Sequence, residues 1–165
     1  MIVTILLSLM MMAGLFLMLL SGIGFIQDKR FFTSAPREVQ DAVQPREERF
    51  RGAHAVGWVM AAVSLLMMGG AIVIGAADGI RAGYSFGQFF VRFLVMLLLL
   101  KAFDILFFDW VLLCNAGLGF FPHFYPETKA VLGRHLFGYN IWTHLTHIAV
   151  FPFAAAALAW ICTVI

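Results

Sequence analysis

The sequence predicts an all-α polytopic membrane protein, a four-transmembrane-helix bundle built as one membrane domain over residues 1–165. Three observations lead there. Of the 165 residues, 62% are hydrophobic and only 12% are charged, with a mean hydropathy of +0.94. A soluble domain carries about 25% charged residues, so this chain has too few to cover a water-facing surface. Four apolar blocks, residues 2–26, 53–77, 86–114 and 139–165, each reach the roughly 20 residues a helix needs to cross the hydrocarbon core. None alternates as a barrel strand must, and only helices or closed barrels satisfy their backbone in lipid.

The first block has no basic leading region and no A-x-A site after it, so it reads as a retained span rather than a signal peptide. Orientation follows from Lys and Arg. Lys29, Arg30, Arg37, Arg46, Arg49 and Arg51 fall in the first loop (27–52), Lys129 and Arg134 in the third (115–138), and only Arg81 between spans two and three. Both basic loops are therefore expected in the cytoplasm, in a cell inner (plasma) membrane, with both termini outside. The net charge of +2 argues against nucleic acid as a partner. Cys114 and Cys162 fall at opposite ends of their helices in this topology, so no disulfide and no zinc motif is expected.

The loops differ in kind. In the first, Ser34 before Pro36 and Glu38 reads as a cap, a first-turn proline and an early acid, predicting a short helix over about 35–43. Pro45 can open a second helix whose charged turns, Arg46 to Arg51, run into span two. A solvated connector and a docking surface for anionic lipid or a partner both remain open for this loop. The third loop groups Phe120, Phe121, Phe124 and Tyr125 around Pro122 and Pro126. Such aromatics suit the headgroup layer, which predicts a loop lying on the inner interface and capping whatever lies between the helices.

Small residues mark packing faces. Ala53, Gly57 and Ala61 recur every four residues in span two, with Gly69, Gly70 and Gly75 beyond, and span four carries Ala154–Ala157 and Ala159. Small faces let helices approach closely where lipid removes the hydrophobic drive. A match between these two spans is expected, or homo-oligomerisation, or a partner membrane subunit.

The ionisable residues gather in one leaflet. Lys101, Asp104 and Asp109 end span three, His54 opens span two, and Asn140, His144 and His147 share a stripe at the start of span four. Arg92, in the outer third of span three, reads as a snorkelling side chain paired with Asp78. A plain reading makes Asp109 and Trp110 interfacial anchors and pairs Lys101 with Asp104 one turn away. The run from Phe86 to Asn115, at 30 residues and about 45 Å, is long enough for that. Asp104 fits it less well, because an aspartate at the helix centre costs roughly 2.5–3.5 kcal/mol and apolar Phe107 and Phe108 follow it.

Functional readings of this cluster stay open. His54, His144, His147 and Asp104 are candidate ligands for a divalent metal (zinc, iron or manganese), with an open position that would activate water in a metal-dependent membrane enzyme. Against a shared ion, Asp104 and Asp109 stand about 140° apart on an α-helix. His54 with His144 or His147 could instead hold one haem axially. Asp104 could serve as a proton relay. Asp104, Asp109, Lys101 and Asn140 could bind a lipid or small molecule, or the cluster could only fix the packing of an accessory subunit. The stretch FDILFFDW with FPHFYPET and a histidine-bearing last span resembles a group of small uncharacterised four-span bacterial membrane proteins. These carry an F-D-x-x-x-x-D-W-like stretch, a P-G-T-E-like turn and a histidine leading into the last helix. Phe103-Asp104 and Asp109-Trp110 correspond to the first. Pro126-Glu127-Thr128 corresponds to the second without its glycine, and His135, His144 or His147 to the third. The resemblance covers residues 101–165 and implies Asp104 and Asp109 as one motif, with no activity attached.

Overall fold

The structure is a computed structural model that describes residues 1–32, 35, 37–44, 46–113, 119–132 and 141–165. These residues are mostly helical, with no strand among them. Helix α1 (Ile2–Leu20) widens into a π-helical stretch, Ser21–Ile26, and a 3-10 turn follows at Lys29–Phe32. Helix α2 (Arg37–Ala42) is short, and α3 (Ala53–Arg81) is the longest. Helix α4 (Phe86–Phe103) continues as a π-helix, Asp104–Leu113. Helix α5 (Phe120–Phe124) leads into a 3-10 turn at Pro126–Ala130, and α6 (Ile141–Val164) ends the chain. Among the described residues, three helices, Ile2–Ile26, Ala53–Arg81 and Ile141–Val164, are long and apolar enough to cross a membrane.

The helices associate as two pairs, α1 with α3 and α4 with α6. This corrects the expected match of small faces between spans two and four. The small face of α3 meets α1 instead: Ser64 Oγ donates to Gly14 O at 2.6 Å, and Ser21 Oγ to Gly57 O at 2.7 Å. Close backbone approach and interhelical hydrogen bonds replace the hydrophobic drive that lipid removes. On α6, Ala155 and Ala159 are buried against Phe89, Phe93 and Met96 of α4. There the thin face receives large rings rather than another thin face.

Arg92 is 3% exposed, so it does not snorkel. Its Nη1 donates to Gly75 O at 2.7 Å, Nη2 to Tyr84 Oη at 2.8 Å, and Nη2 lies 2.7 Å from Asp78 Oδ2. The guanidinium also sits over the Tyr84 ring. Buried charge is tolerated where it is paired and hydrogen-bonded, and Arg92 thereby ties α4 to the far end of α3.

The loops pack as a lid. Val39 and Val43 from the α2 region join Ile23, Phe108, Leu112, Leu113, Phe121, Tyr125 and Leu132 in one buried cluster. The first loop is therefore anchored in the core by these two valines, while residues 46–51 stay exposed. Its predicted cap residues Ser34 and Pro36, with Pro45, lie outside the described residues. Residues 46–51 are not helical, correcting the second expected helix, because α3 starts only after Gly52 at φ 89°, a left-handed conformation that interrupts a right-handed helix. In the aromatic loop, Phe121 and Tyr125 are buried in this same cluster. Cys114 lies outside the described residues.

The α1–α3 seam yields a direct test. A Cβ added at Gly57 would stand 2.6 Å from Ile26 Cγ1 and 3.0 Å from the Ile26 backbone N, whereas one at Gly69 meets nothing within 4 Å. Gly57→Ala is expected to destabilise the fold by about 1–3 kcal/mol in SDS-induced unfolding. Gly69→Ala should stay within about 1 kcal/mol of wild type.

Candidate functional site

The site begins where α4 changes its winding. In an α-helix Asp104 and Asp109 would point about 140° apart, but π-helical i→i+5 bonding returns the chain to the same face after about five residues. The Asp104–Leu113 stretch is π-helical, so both aspartates line one cavity of about 250 Å³ together with Lys101, His144 and His147. The sequence argument that kept the two aspartates apart is thereby corrected. Leu19, Phe31, Phe108 and Phe121 supply apolar wall, while Phe103 stacks on Phe107 and Phe16 meets Phe107 edge-on.

Two ionic pairs sit in this wall. Lys101 is 7% exposed, and its Nζ lies 2.6 Å from Asp104 Oδ2 one turn along the helix. Asp104 has therefore found its partner on its own helix. Asp109 is more buried, at 5% exposed, and its Oδ2 lies 2.5 Å from Nε2 of His144 on α6. It is not the interfacial anchor that its neighbour Trp110 implied. With Asp109 ionised and His144 neutral, the carboxylate accepts, Nε2 carries the proton and Nδ1 keeps the lone pair. That Nδ1 is buried and has no hydrogen-bond partner among the described residues. His147, three residues on, is exposed and stacks on Phe151.

Other expected members are elsewhere. Nδ1 of His54 lies 3.3 Å from Glu48 Oε1, and the ring lines a separate hollow with Gln27, Asp28, Arg30, Arg46 and Trp58. The metal set of His54, His144, His147 and Asp104 is accordingly not assembled, and no group of three or more His, Cys, Asp or Glu side chains able to hold an ion occurs among the described residues. The histidines named for an axial haem pair line different hollows, His54 in one and His144 and His147 in the other. Asn140 and His135 lie outside the described residues. Phe31, Ala35 and Thr143 line the cavity without having been singled out. Phe31 and Ala35 reach it only because the first loop folds back, and no local pattern announces that.

No protein-family model matches this chain, and no curated protein or solved structure shows significant similarity to it. The site is thus read from its own geometry.

The lid over the cavity is latched by charge. Arg46 Nη2 lies 2.7 Å from Glu127 Oε2, joining the first loop to the third, and the Gln44 backbone N–H donates to Glu127 Oε1 at 3.3 Å. Arg46 also covers the Tyr125 ring and Arg49 the Phe124 ring. Burial pushes the Tyr125 hydroxyl up to about 12, so it stays protonated across the physiological range. Burial also raises the Glu127 carboxyl, but hydrogen bonds from its own backbone, from Gln44 and from Arg46 outweigh that and hold it below the usual glutamate range.

Two outcomes follow from these contacts. His144→Ala leaves Asp109 buried without its partner and is expected to cost about 3–5 kcal/mol, while Asp109→Leu combined with His144→Leu recovers most of it; unfolding of the single and double variants measures this coupling. Because folding depresses the Glu127 pKa, the latch contributes fully above the unfolded-state value and is lost as pH falls through the lower folded value. Amide exchange over Pro126–Ala130 should rise in that acidic window, and Glu127→Gln should exchange fast at every pH.

Proposed function

We propose that this protein is a four-span membrane protein that binds a small amphipathic molecule in the cavity at its basic end, with Asp109 and His144 as an acid–base pair. The continuous helical run from Phe86 to Leu113 is the additional span, and its charged groups are all paired internally. The distribution of Lys and Arg orients the basic loops to the cytoplasm of an inner membrane and both termini outward. The bilayer is the first partner.

The observation that carries the reading is the orphaned Nδ1 of His144 beside the cavity. A buried polar atom left without a partner is costly, and such atoms in clefts mark sites where something else completes the bond. A ligand O–H or N–H would complete it, and Asp109 behind the ring would stabilise imidazolium if the proton moved. The Lys101–Asp104 pair offers a second polar contact, while Leu19, Phe108 and Phe121 take an apolar body. Function in the enzymatic sense then requires a reacting group on that ligand, held against the imidazole.

A second reading is favoured by the same contact: Asp109 and His144 join the third and fourth spans, which a purely structural pin would also do. The two separate in one experiment. Wild type, Asp109→Asn and His144→Gln are purified in mild detergent and their extracted small molecules compared by mass spectrometry. The binding reading expects a molecule enriched in wild type and lost from both variants while helicity and monodispersity persist. Variants that lose helicity, with the same extract as wild type, would leave only the pin.

A further inference from the structure

A second polar hollow, of about 390 Å³, lies where the first apolar helix ends and α3 begins, lined by Ile26, Gln27, Asp28, Arg30, Arg46, His54 and Trp58. Gln27 is 5% exposed, and its Oε1 has no partner among the described residues. His54 Nε2 is likewise buried without one. Glu48 Oε1 accepts from the His54 backbone N–H and lies 3.3 Å from the ring Nδ1; in the neutral tautomer with its proton on Nδ1, Nε2 is an acceptor. Gln27 is also the one non-glycine residue at positive φ among the described residues, at 55°. Its backbone N–H closes the helix end on Gly22 O at 2.8 Å, a position where glycine is the usual choice. A side chain kept there against backbone preference, with its oxygen orphaned, is an outlier that points to a use.

Three groups on residues that line this hollow can act as acceptors: Gln27 Oε1, His54 Nε2 in its Nδ1–H tautomer and the Asp28 carboxylate, whose oxygens also accept from Arg30. The complement is a group with three N–H donors and a positive charge, a primary ammonium. Trp58, 59% exposed on α3, adds an indole that such a cation favours. The opposite charge is met beside it. Asp28 engages Nε and Nη2 of Arg30, and Glu127 engages Nη2 of Arg46, so each five-donor guanidinium keeps N–H groups for an anion, and arginine forks fit phosphate. Ammonium next to phosphate is the chemistry of an ethanolamine phosphate. Ile26 and Trp58 belong to two helices apolar enough to span a bilayer, which puts the hollow at headgroup depth.

We propose that this hollow binds the headgroup of phosphatidylethanolamine, its ammonium held by Gln27, Asp28 and His54 and its phosphate by Arg30 and Arg46. The site is separate from the Asp109–His144 cavity, so its fate does not decide that of the ligand proposed there.

The test is native mass spectrometry of the full chain released from nanodiscs of equimolar dioleoyl phosphatidylethanolamine and dioleoyl phosphatidylcholine. Choline has no N–H donor, so wild type is expected to retain phosphatidylethanolamine about tenfold better, a charge-assisted hydrogen bond's worth. Gln27→Gly removes the acceptor while installing the residue that the backbone prefers, so it should fold and lose the preference. His54→Phe provides a second variant with the same expectation. Arg30→Gln should weaken retention of both lipids and leave their ratio unchanged. Equal retention of the two lipids by wild type, or an unaltered preference in both Gln27→Gly and His54→Phe, overturns the proposal. Displacement of the bound lipid by an equal concentration of soluble glycerophosphoethanolamine would assign the hollow to a free headgroup compound and overturn the lipid assignment.

Discussion

A charge inside a membrane protein has to bring its partner with it, and the whole arrangement depends on that. In hydrocarbon neither water nor counterion is at hand, so an unpaired carboxylate or guanidinium costs several kcal/mol. Each buried charge described here is answered within the chain. Arg92 meets Asp78, Gly75 and Tyr84, Lys101 meets Asp104, and Asp109 meets His144. Two of these three contacts, those of Arg92 and Asp109, also join different helices, so the requirement to pair charges doubles as a packing instruction.

The winding of the helices decides which polar groups share a space. Ser21–Ile26 and Asp104–Leu113 are both π-helical, and both lie at the basic end of the bundle. Wider winding shifts side chains around the axis relative to an α-helix. It brings Asp104 and Asp109 to one cavity, and at the end of the first stretch it turns Gln27 into its left-handed conformation. The two hollows at this end thus arise from the same departure from α-helical geometry. They differ in lining, one setting an imidazole among aromatic walls and the other setting Gln27, Asp28 and His54 beside arginines.

The loops complete both hollows. Phe31 and Ala35 wall one, and Asp28, Arg30 and Arg46 wall the other. Val39 and Val43 anchor the first loop into the core beneath Tyr125, and Arg46 ties it to Glu127 of the third loop. A connector that would be solvated in many membrane proteins is here a structural layer. Its many charges are compatible with burial because they lie on its outer side while its two valines face inward.

Much of the fold was legible in the residue order. Apolar runs announce spanning helices because bilayer thickness fixes their length, and Lys101 with Asp104 was readable as a pair because i and i+3 share a helix face. Arg92 with Asp78 was readable as a pair too, though not its burial. Long-range choices were not legible: which small face meets which helix, that His144 rather than His54 answers Asp109, and that Gln27 is left with an orphaned oxygen. Those depend on which of several apolar surfaces associate and on the local winding at Asp104, and hydrophobic patterning is silent on both. The sequence by itself determined helices long and apolar enough to cross a membrane, joined by basic loops, since composition and length suffice for that. Only the tertiary structure decided where its polar groups meet, because a partner in space is chosen by packing and not by distance along the chain.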